Sequence, residues 1–478
     1  MRFLACVLLI WPTFAAGPFD SVRDSIRRET RERKVPSVAV AVARDGRIVW
    51  EEAFGLADIE GNLAATPDTP YSLASISKPI TATALMTLVQ AGRIQLERPV
   101  NDYLGAAKLT ARVGDAADAT LERVASHSAG LPLHFQFFYN NEPFRPPSPD
   151  ETIRRFGNLV TAPGEVYQYS NLGYGILDTV IARVSEKSYP IYLREAVLEP
   201  LGMAHSGVGP PPGAAVRYGD GQPLPLYEFD HTGASGVYAS ARDLVRFGLF
   251  HDGVPQPGRK RILSPASIAR MQKPVARIDG ASGYGIGWRA YDTPEGYRQV
   301  SHGGGMPGVA TVLRLIPSKR AVIVVLTNSA TPLPHRIADE IEAVLVASKG
   351  IRDPGEHPAG PSAIPKELRG EWNGEVVTYK GSVPIRITID DAGAKAGLGE
   401  RSLTPMKGAR MRDGFLTGVV SGDLGLEESR GRPVRLEVRL KPRGSELNGA
   451  ITSFGEGSAG KLPAGAVTQW VRLRRPVP

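Results

Sequence analysis

The chain has 478 residues, more than one ordinary hydrophobic core accommodates, and we therefore expect one large and one smaller domain. Hydrophobic residues make up 42% and charged residues 22% of the chain, a balance that excludes a largely disordered protein. The net charge of +8 is modest, and most of the basic excess follows residue 362. No nucleic-acid-binding motif accompanies this charge, so we predict no nucleic acid partner.

The N-terminus has the features of a secretory signal. Arg2 precedes an apolar run from Phe3 to Phe14, and Ala15 and Ala16 are small residues suited to cleavage. The apolar run is shorter than the roughly 20 residues needed to span a bilayer. We expect residues 1–16 to be removed, leaving a periplasmic or extracellular protein with no transmembrane span. The only cysteine, Cys6, lies in this segment, so the mature chain would contain no thiol ligand.

Helix and strand patterns alternate near the start of the chain. A charged helix over residues 19–34 precedes two strands, 37–43 and 48–54, which are joined by a tight turn. Residues 77–92 then place apolar side chains at helical spacing. Ser75 is therefore expected at the start of a helix.

Further strands appear much later in the sequence. Residues 310–316 and 321–328 form a second predicted strand pair, and a helix is expected over 335–348. The simplest architecture is an α+β fold in which early and late strands share one antiparallel sheet flanked by helices. The middle of the chain would then be inserted as a helical lobe, with an active site between the two parts.

The C-terminal part of the chain differs from the rest in its composition and in its pattern of apolar residues. Residues 350–364 are rich in proline and glycine and are expected to link a first domain, residues 17–349, to a second one. Residues 365–478 show short alternating patterns, which predict a small β-barrel or sandwich. No pattern in this second domain indicates its role.

A serine and a lysine one turn apart provide the first chemical signal. In Ser75-Ile76-Ser77-Lys78, helical spacing places an amine beside a hydroxyl, and the amine can accept the serine proton if its pKa is lowered. The pattern is short and occurs again as Ser458-Ala459-Gly460-Lys461. That second copy lies in a glycine-rich connection with no helix after it, and we interpret it as accidental.

Two later motifs support the first one. Tyr169-Ser170-Asn171 leads into a predicted helix, and His302-Gly303-Gly304-Gly305 precedes a predicted strand. With these three motifs in this order, residues 20–348 resemble the serine β-lactamase and penicillin-binding family. The resemblance is to the branch that contains class C β-lactamases, D-stereospecific peptidases and esterases.

The resemblance implies a catalytic role for five side chains. Ser75 would be the nucleophile, Lys78 its proton partner, and Tyr169 a second general acid or base near the leaving group. Asn171 would hold Lys78 or a substrate amide, and it could also cap the following helix. His302 opens the third motif, and we expect it to supply, together with Lys78, the cation that a basic tyrosine requires.

The same resemblance implies backbone contacts to the substrate. The N–H groups of Ser75 and Gly305 would form the oxyanion hole, with Gly305 on an edge strand. Gly303 and Gly304 would bind substrate. We expect no cofactor, and no catalytic metal, because the eight histidines are scattered and no thiol remains.

The third motif departs from the family pattern. Members that bind penicillins or D-Ala-D-Ala ends usually carry Lys-Thr-Gly, whose cation and hydroxyl hold the substrate carboxylate, whereas this chain has His302-Gly303-Gly304. The departure favours esters, amides or peptides without that carboxylate, and hence an esterase or a D-amino-acid peptidase or amidase. The alternatives are a β-lactamase, a D-Ala-D-Ala carboxypeptidase acting on peptidoglycan fragments, and a non-catalytic cell-wall binding protein.

Overall fold

The computed structural model describes residues 17–32, 35–255, 258–346, 362–458 and 461–476. The predicted signal, including Cys6, lies outside the described residues, as does most of the predicted linker. None of the described helices is long and apolar enough to cross a membrane. We call residues 17–346 the N-terminal region and residues 362–476 the C-terminal barrel.

The α-helices all belong to the N-terminal region in the described part of the chain. In chain order they are α1 (Asp20–Arg31), α2 (Ser77–Gln90), α3 (Leu121–Ala125), α4 (Pro149–Phe156), α5 (Asn171–Ser185), α6 (Tyr189–Leu193), α7 (Glu199–Leu201), α8 (Thr232–Ser235), α9 (Ala241–His251), α10 (Pro265–Gln272) and α11 (Leu333–Val346). The helices predicted over residues 19–34, 77–92 and 335–348 correspond to α1, α2 and α11, and the helix predicted after Tyr169-Ser170-Asn171 corresponds to α5.

Strands occur in both parts. Those of the N-terminal region are β1 (Ser37–Arg44), β2 (Arg47–Asp58), β3 (Leu63–Ala64), β4 (Tyr71–Ser72), β5 (Thr110–Ala111), β6 (Phe135–Tyr139), β7 (Asn158–Leu159), β8 (Ser206–Val208), β9 (Tyr218–Gly219), β10 (Gln222–Pro223), β11 (Tyr227–Phe229), β12 (Val237–Ala239), β13 (Ala276–Arg277), β14 (Ser282–Tyr284), β15 (Arg289–Asp292), β16 (Arg298–Met306), β17 (Val309–Ile316) and β18 (Ala321–Thr327). Those of the C-terminal barrel are β19 (Gly370–Thr378), β20 (Gly381–Asp390), β21 (Gly393–Leu398), β22 (Thr404–Pro405), β23 (Lys407–Arg412), β24 (Phe415–Val420), β25 (Val434–Arg443), β26 (Glu446–Gly455) and β27 (Gly465–Arg474).

The main sheet joins the two ends of the N-terminal region. Its nine strands run in the order β13-β14-β15-β16-β17-β18-β1-β2-β3, and neighbouring strands are antiparallel. The alternation in β1 explains the packing on its two faces. Val38, Val40 and Val42 belong to the core under α1 and α11, whereas the smaller side chains of Ala39 and Ala41 belong to the core that includes α9. The predicted sheet is confirmed.

A helical lobe is inserted between β3 and β13, as predicted. Its central helix, α2, is buried on nearly every side, which is the behaviour of a helix that is apolar all round. It packs mainly against α5 and α8. The lobe therefore places the N-terminal end of α2 against the main sheet, where the 3-10 turn Ala74–Ile76 contacts β16 and β17.

The C-terminal barrel is a nearly closed antiparallel sheet in the order β22-β21-β20-β19-β27-β26-β25-β24-β23. It is continuous with the N-terminal region, because β27 also pairs with β6, which in turn pairs with β11. The pairing places Gly465 opposite Gln136 and Ala466 opposite Phe135. The barrel is thus attached to the N-terminal region by backbone hydrogen bonds as well as by side chains.

Side-chain contacts extend this attachment. The Arg430 guanidinium donates to the Phe137 carbonyl and, at 3.0 Å, to Gln136 Oε1. Glu165 accepts from Lys441 at 2.5 Å and also pairs with Arg443. A buried apolar cluster joins Trp470 of the barrel to the N-terminal region. The barrel consequently reaches the loop that precedes Tyr169.

Candidate active site

Ser75 lies in a strained turn directly before α2. The 3-10 turn Ala74–Ile76 runs into the helix, and Ala74 has a φ of +48°, in the left-handed region that disfavours side chains. The turn is held against β17 by a 3.0 Å hydrogen bond from Thr311 Oγ1 to the Leu73 carbonyl. Gly304 of β16 is required here, because a Cβ atom would collide with the same carbonyl. The turn therefore holds Ser75 close to the third motif.

Lys78 is fully buried and contacts three oxygen atoms. Its Nζ lies 3.0 Å from Ser75 Oγ, 2.7 Å from Asn171 Oδ1 and 3.1 Å from the Ala234 carbonyl oxygen. Burial holds the pKa of Lys78 well below its ordinary value of 10.5, which favours the neutral amine. The Asn171 and Ala234 oxygens can only accept, so they take both hydrogens of that amine. The remaining lone pair then faces the hydroxyl of Ser75.

Tyr169 approaches Ser75 from another side. Its hydroxyl lies 2.9 Å from Ser75 Oγ, and the side chain is half-buried. Lys78 Nζ lies 4.7 Å from the centre of the Tyr169 ring, within the range of a cation–π contact. The structure thus brings together the three residues that the first two motifs predict as nucleophile and proton-transfer groups.

Two roles were considered for Asn171, a helix cap and a contact with Lys78, and the structure assigns the first to Ser170. Ser170 is the N-cap of α5, and its hydroxyl accepts from Gly173 N at 3.2 Å. Asn171 is the first residue of the helix, and its side-chain oxygen accepts from Lys78. The proposed capping role therefore belongs to Ser170, while the contact with Lys78 is present.

His302 differs from the expectation that it supplies a cation. Its Nδ1 lies 2.7 Å from the Gly303 carbonyl, which can only accept, so Nδ1 carries a hydrogen. Nε2 then accepts from the Tyr284 hydroxyl at 2.8 Å. Burial and the charge of Lys78 lower the pKa of His302 to about 3, so the ring is neutral. Among the groups considered, Lys78 alone is left to provide a cation near Tyr169.

An aromatic cluster around Tyr169 was not predicted. The His127 ring lies 4.4 Å from that of Tyr169 and 4.6 Å from that of Tyr284, and His127 Nδ1 accepts from Ser170 N at 3.1 Å. His127 has a φ of +59°, which turns the chain so that the ring faces the site. Burial holds the pKa of His127 well below its ordinary value, and repulsion from the protonated forms of Lys78 and His302 would lower it further. None of the three motifs includes His127, so they do not predict its place beside Tyr169.

The strand that contains Gly305 was expected at the edge of the sheet, but it is an interior strand. Gly305 lies in β16, which pairs with β15 on one side and with β17 on the other. Pairing with β15 ends at Ser301, however, so the segment from His302 to Met306 extends beyond that neighbour. A Cβ atom on Gly305 would meet no atom within 4 Å, which indicates open space beside this backbone. The free edge is therefore local to the third motif.

The two other glycines of the motif face opposite sides of the sheet. The Cα hydrogens of Gly304 take the place of a side chain that would strike the Ser75 turn, as described above. The corresponding position at Gly303 lies 3.4 Å from the ring of His335 in α11. Gly304 thus allows close packing behind the nucleophile, and a substrate contact by Gly303 or Gly304 stays a prediction for their backbone.

A buried acid also joins two histidines near the lobe. Asp230 accepts from His134 Nε2 at 2.6 Å and from His231 Nδ1 at 2.7 Å, and Gln136 Nε2 donates to it at 2.7 Å. Burial acts to raise the pKa of Asp230, but the two histidines outweigh it and hold the pKa below its ordinary value. These residue types can bind metals, yet the atoms that face one another are already joined by hydrogen bonds from both histidines to Asp230. No motif predicted this cluster.

Comparison with known proteins identifies the family. The family model described as Beta-lactamase matches residues 22–348. This chain belongs to the beta-lactamase family. Penicillin-binding protein 4 of Amycolatopsis lactamdurans is 30% identical to it over 368 residues, covering 70% of this chain and 92% of that protein. The chain is therefore of the β-lactamase and penicillin-binding type of serine hydrolase, as the three motifs predicted.

Two solved structures extend the similarity to the fold of nearly the whole chain. The octameric penicillin-binding protein homologue from Pyrococcus abyssi has a TM-score of 0.61 at 23% identity, covering 95% of this chain and 99% of its own. SurE has a TM-score of 0.64 at 21% identity, covering 96% of this chain and all of its own, 100%. The shared fold thus extends beyond the residues matched by the family model.

Proposed function

We propose that this protein is an exported serine hydrolase that cleaves ester or amide bonds through an acyl-enzyme on Ser75. The observation that carries the proposal is the position of Ser75 Oγ between Lys78 Nζ at 3.0 Å and Tyr169 Oη at 2.9 Å. A nucleophile needs one group that removes its proton and another that protonates the leaving group. Both are within hydrogen-bond distance of the same oxygen.

The first step is the attack of Ser75. The neutral amine of Lys78 accepts the hydroxyl proton through the lone pair left by its bonds to Asn171 and Ala234. Ser75 Oγ forms a bond to the substrate carbonyl carbon, and the carbonyl electron pair moves to oxygen. The N–H groups of Ser75 and Gly305 stabilise this oxyanion, an effect worth about 3 kcal/mol for a single donor.

The second step releases the leaving group and then the acyl group. Tyr169 donates its hydroxyl proton to the departing oxygen or nitrogen and regains a proton from Lys78. Water attacks the acyl carbon and gives a proton to the same pair of groups, and they return this proton to Ser75 Oγ as its bond to the acyl carbon breaks and the acid is released. The nearby ammonium of Lys78 stabilises a transient Tyr169 phenolate, because opposite charges within about 4–6 Å favour the charged forms.

The neutral His302 favours particular substrates. The third motif provides no cation and no hydroxyl for a carboxylate beside the scissile bond, which supports short acyl esters and amides of D-residues. The second candidate is a β-lactamase or a D-Ala-D-Ala carboxypeptidase that acts on peptidoglycan fragments. Its support is the relative named Penicillin-binding protein 4. A non-catalytic binding protein receives less support, because it requires no such arrangement around Ser75.

The test compares residues 17–478 with the Ser75→Ala variant on three chromogenic substrates: a short-chain nitrophenyl ester, a cephalosporin and a D-alanyl nitroanilide. We expect ester or D-amide turnover by the unsubstituted protein only, and a mass increase on Ser75 that equals the acyl group. Fast cephalosporin hydrolysis would instead support the second candidate. Equal rates for both proteins, without an adduct, would reject the serine mechanism.

Export is tested separately. The full-length chain, expressed in a bacterium with a periplasm, should lose residues 1–16, and intact-mass measurement on fractionated cells should detect the shortened product outside the cytoplasm. Replacing residues 3–10 of the apolar run with a polar segment should keep the uncleaved chain in the cytoplasm. An uncleaved cytoplasmic product from the unaltered chain would contradict the prediction.

A further inference from the structure

A cleft between the N-terminal region and the C-terminal barrel opens at Tyr169. Its volume is about 1010 Å³, and one wall is the segment from Glu165 to Tyr169. The facing wall is formed by strands β23, β24, β25 and β26 of the barrel. The cleft therefore begins at the group that we propose protonates the leaving group, and it continues along the barrel.

Positive charge predominates along this cleft. The basic residues that line it are Arg277, Lys407, Arg410, Arg412 and Arg439, and the acidic ones are Glu165, Asp413 and Glu437. Glu165 is already paired with Lys441 and Arg443, and Glu437 is paired with Arg435. Two of the three carboxylates are thus neutralised by residues that do not line the cleft, which leaves the lining with an excess of cations.

Arg439 is the best-fixed of these cations. Its guanidinium lies 3.6 Å from the centre of the Phe415 ring, and its NH1 donates to Gln168 Oε1 at 3.2 Å. Stacking on an aromatic face and a hydrogen bond hold the planar group in one orientation. Within the described residues Arg439 has no ion-pair partner within 4 Å, and burial lowers its pKa, with the more distant charges of Asp413 and Glu165 opposing this effect. A partly buried cation without a bound carboxylate favours an anionic ligand.

Arg410 stands in the same row of the sheet. Arg410 is opposite Thr417, and Thr417 is opposite Arg439, so the three side chains share one face. Two strand spacings separate the arginines, which is about 10 Å between backbone positions. Arginine side chains can converge from that separation on one carboxylate lying above Thr417. In the described part of the chain Arg410 is exposed and also forms no ion pair.

We propose that this cleft binds a carboxylate carried by the leaving group of the substrate, and that Arg439 and Arg410 of the C-terminal barrel form its binding site. The inference rests on the proposed function, because Tyr169 identifies the leaving-group side. The carboxylate in question lies beyond the scissile bond along the barrel. It differs from the carboxylate beside the scissile bond, for which His302 provides no cation. The barrel is thereby a determinant of substrate specificity.

The experiment uses two chromogenic esters with the same acyl group. The butyryl ester of 4-hydroxy-3-nitrobenzoate carries a carboxylate on the leaving group, and that of 4-hydroxy-3-nitrobenzamide carries a neutral amide of similar size. The measured quantity is the ratio of kcat/KM for the carboxylate to kcat/KM for the carboxamide. We expect Arg439→Gln to lower this ratio about 10-fold relative to the unsubstituted protein, and Arg410→Gln about 3-fold.

Salt dependence gives a second readout. Raising the ionic strength from about 0.05 M to 0.5 M shortens the screening length, so the ratio should fall in the unsubstituted protein and change little in the double variant. Arg386→Gln is the matched control, because Arg386 is an exposed arginine of the barrel that does not line the cleft. It should leave both the ratio and its salt dependence unchanged.

The outcomes separate the inference from the proposed function. Absence of Ser75-dependent turnover of either ester rejects the proposed function and the inference with it. Turnover of both esters with an unchanged ratio in Arg439→Gln and Arg410→Gln rejects the inference alone. Thermal unfolding of each variant is measured in parallel, and Arg410→Gln keeps the test decisive if Arg439→Gln does not fold, because the exposed Arg410 side chain forms no ion pair or hydrogen bond with the described residues.

Discussion

The chain contains the Ser-x-x-Lys pattern twice, and the two copies differ in burial, in local structure and in their contacts. Lys78 is fully buried beside Ser75 at the start of a buried helix, and its amine contacts three oxygen atoms. Ser458 and Lys461 are exposed and exchange backbone hydrogen bonds of 3.0 and 2.9 Å with each other. The chemistry therefore comes from burial and helical geometry, since three-residue spacing alone aligns the side chains only within a helix.

The largest expected effect is on activity, and it distinguishes Ser75 from Ser458. Ser75→Ala should lower kcat/KM for any substrate of this protein about 10,000-fold or more, because the nucleophile is removed. Ser458→Ala should leave kcat/KM unchanged within twofold. Steady-state kinetics on the nitrophenyl ester measures both variants. Comparable losses in the two would show that the distinction by burial is wrong.

Substitutions of Lys78 and of Lys461 should differ almost as much in their effect on activity. Lys78→Met removes the proton acceptor and should lower kcat about 1,000-fold, whereas Lys461→Met should retain full activity. The free energy of unfolding of Lys78→Met should change by no more than about 2 kcal/mol, because removal of a buried amine offsets the loss of its hydrogen bonds to Asn171 and Ala234. Chemical denaturation measures this second quantity. Strong destabilisation of Lys78→Met would mean that its loss of activity reports on folding.

A smaller effect concerns the protonation of Lys78. If its neutral amine accepts the proton, activity is lost as the pH falls through its pKa, which burial places well below 10.5. Asn171→Asp puts a carboxylate where Oδ1 now lies 2.7 Å from Nζ, favours the ammonium and should move the acid limb of kcat/KM to higher pH. At neutral pH the rate should drop about 10-fold. The exposed barrel variant Asn373→Asp should leave the profile in place.

The smallest effect tests the strain in the nucleophile turn. Ala74 has a φ of +48°, and a non-glycine residue in that region costs about 1–2 kcal/mol. Ala74→Gly should therefore raise the free energy of unfolding by about 1 kcal/mol, measured by urea denaturation. A decrease would indicate that the turn is held without strain or that the Ala74 methyl group makes a packing contact of greater value.

Much of the fold and of the site could be predicted, because short sequence patterns determine these parts of the structure. The β-branched and small apolar residues of β1, the long apolar stretch of α2 and the three motifs in order all follow short-range rules. The strongly lowered pKa of His302 could not be predicted, because it depends on burial and on the charge of Lys78, which is distant in sequence. Which strands neighbour β16 likewise depends on long-range pairing.

The position of the C-terminal barrel against the N-terminal region could also not be predicted from local sequence patterns. Its alternating strands were predicted, yet nothing in them indicates that Arg439 contacts the residue before Tyr169. Contacts between parts of the chain some 270 residues apart arise from tertiary packing alone. The domain boundaries at residues 349 and 365 stay predictions for the same reason, because the intervening segment is not described.

The pairing of β27 with β6 has a consequence for the order of assembly. The last strand of the chain contributes backbone hydrogen bonds to residues 135 and 136, more than three hundred positions earlier. Such a pairing closes late, because a very long loop must be brought together. The nucleophile turn can form before it, but the wall facing Tyr169 is complete only after the C-terminus has been synthesised. A polypeptide cut short by a protease or an early stop would therefore carry the Ser75 chemistry without the surface that we propose selects its substrates.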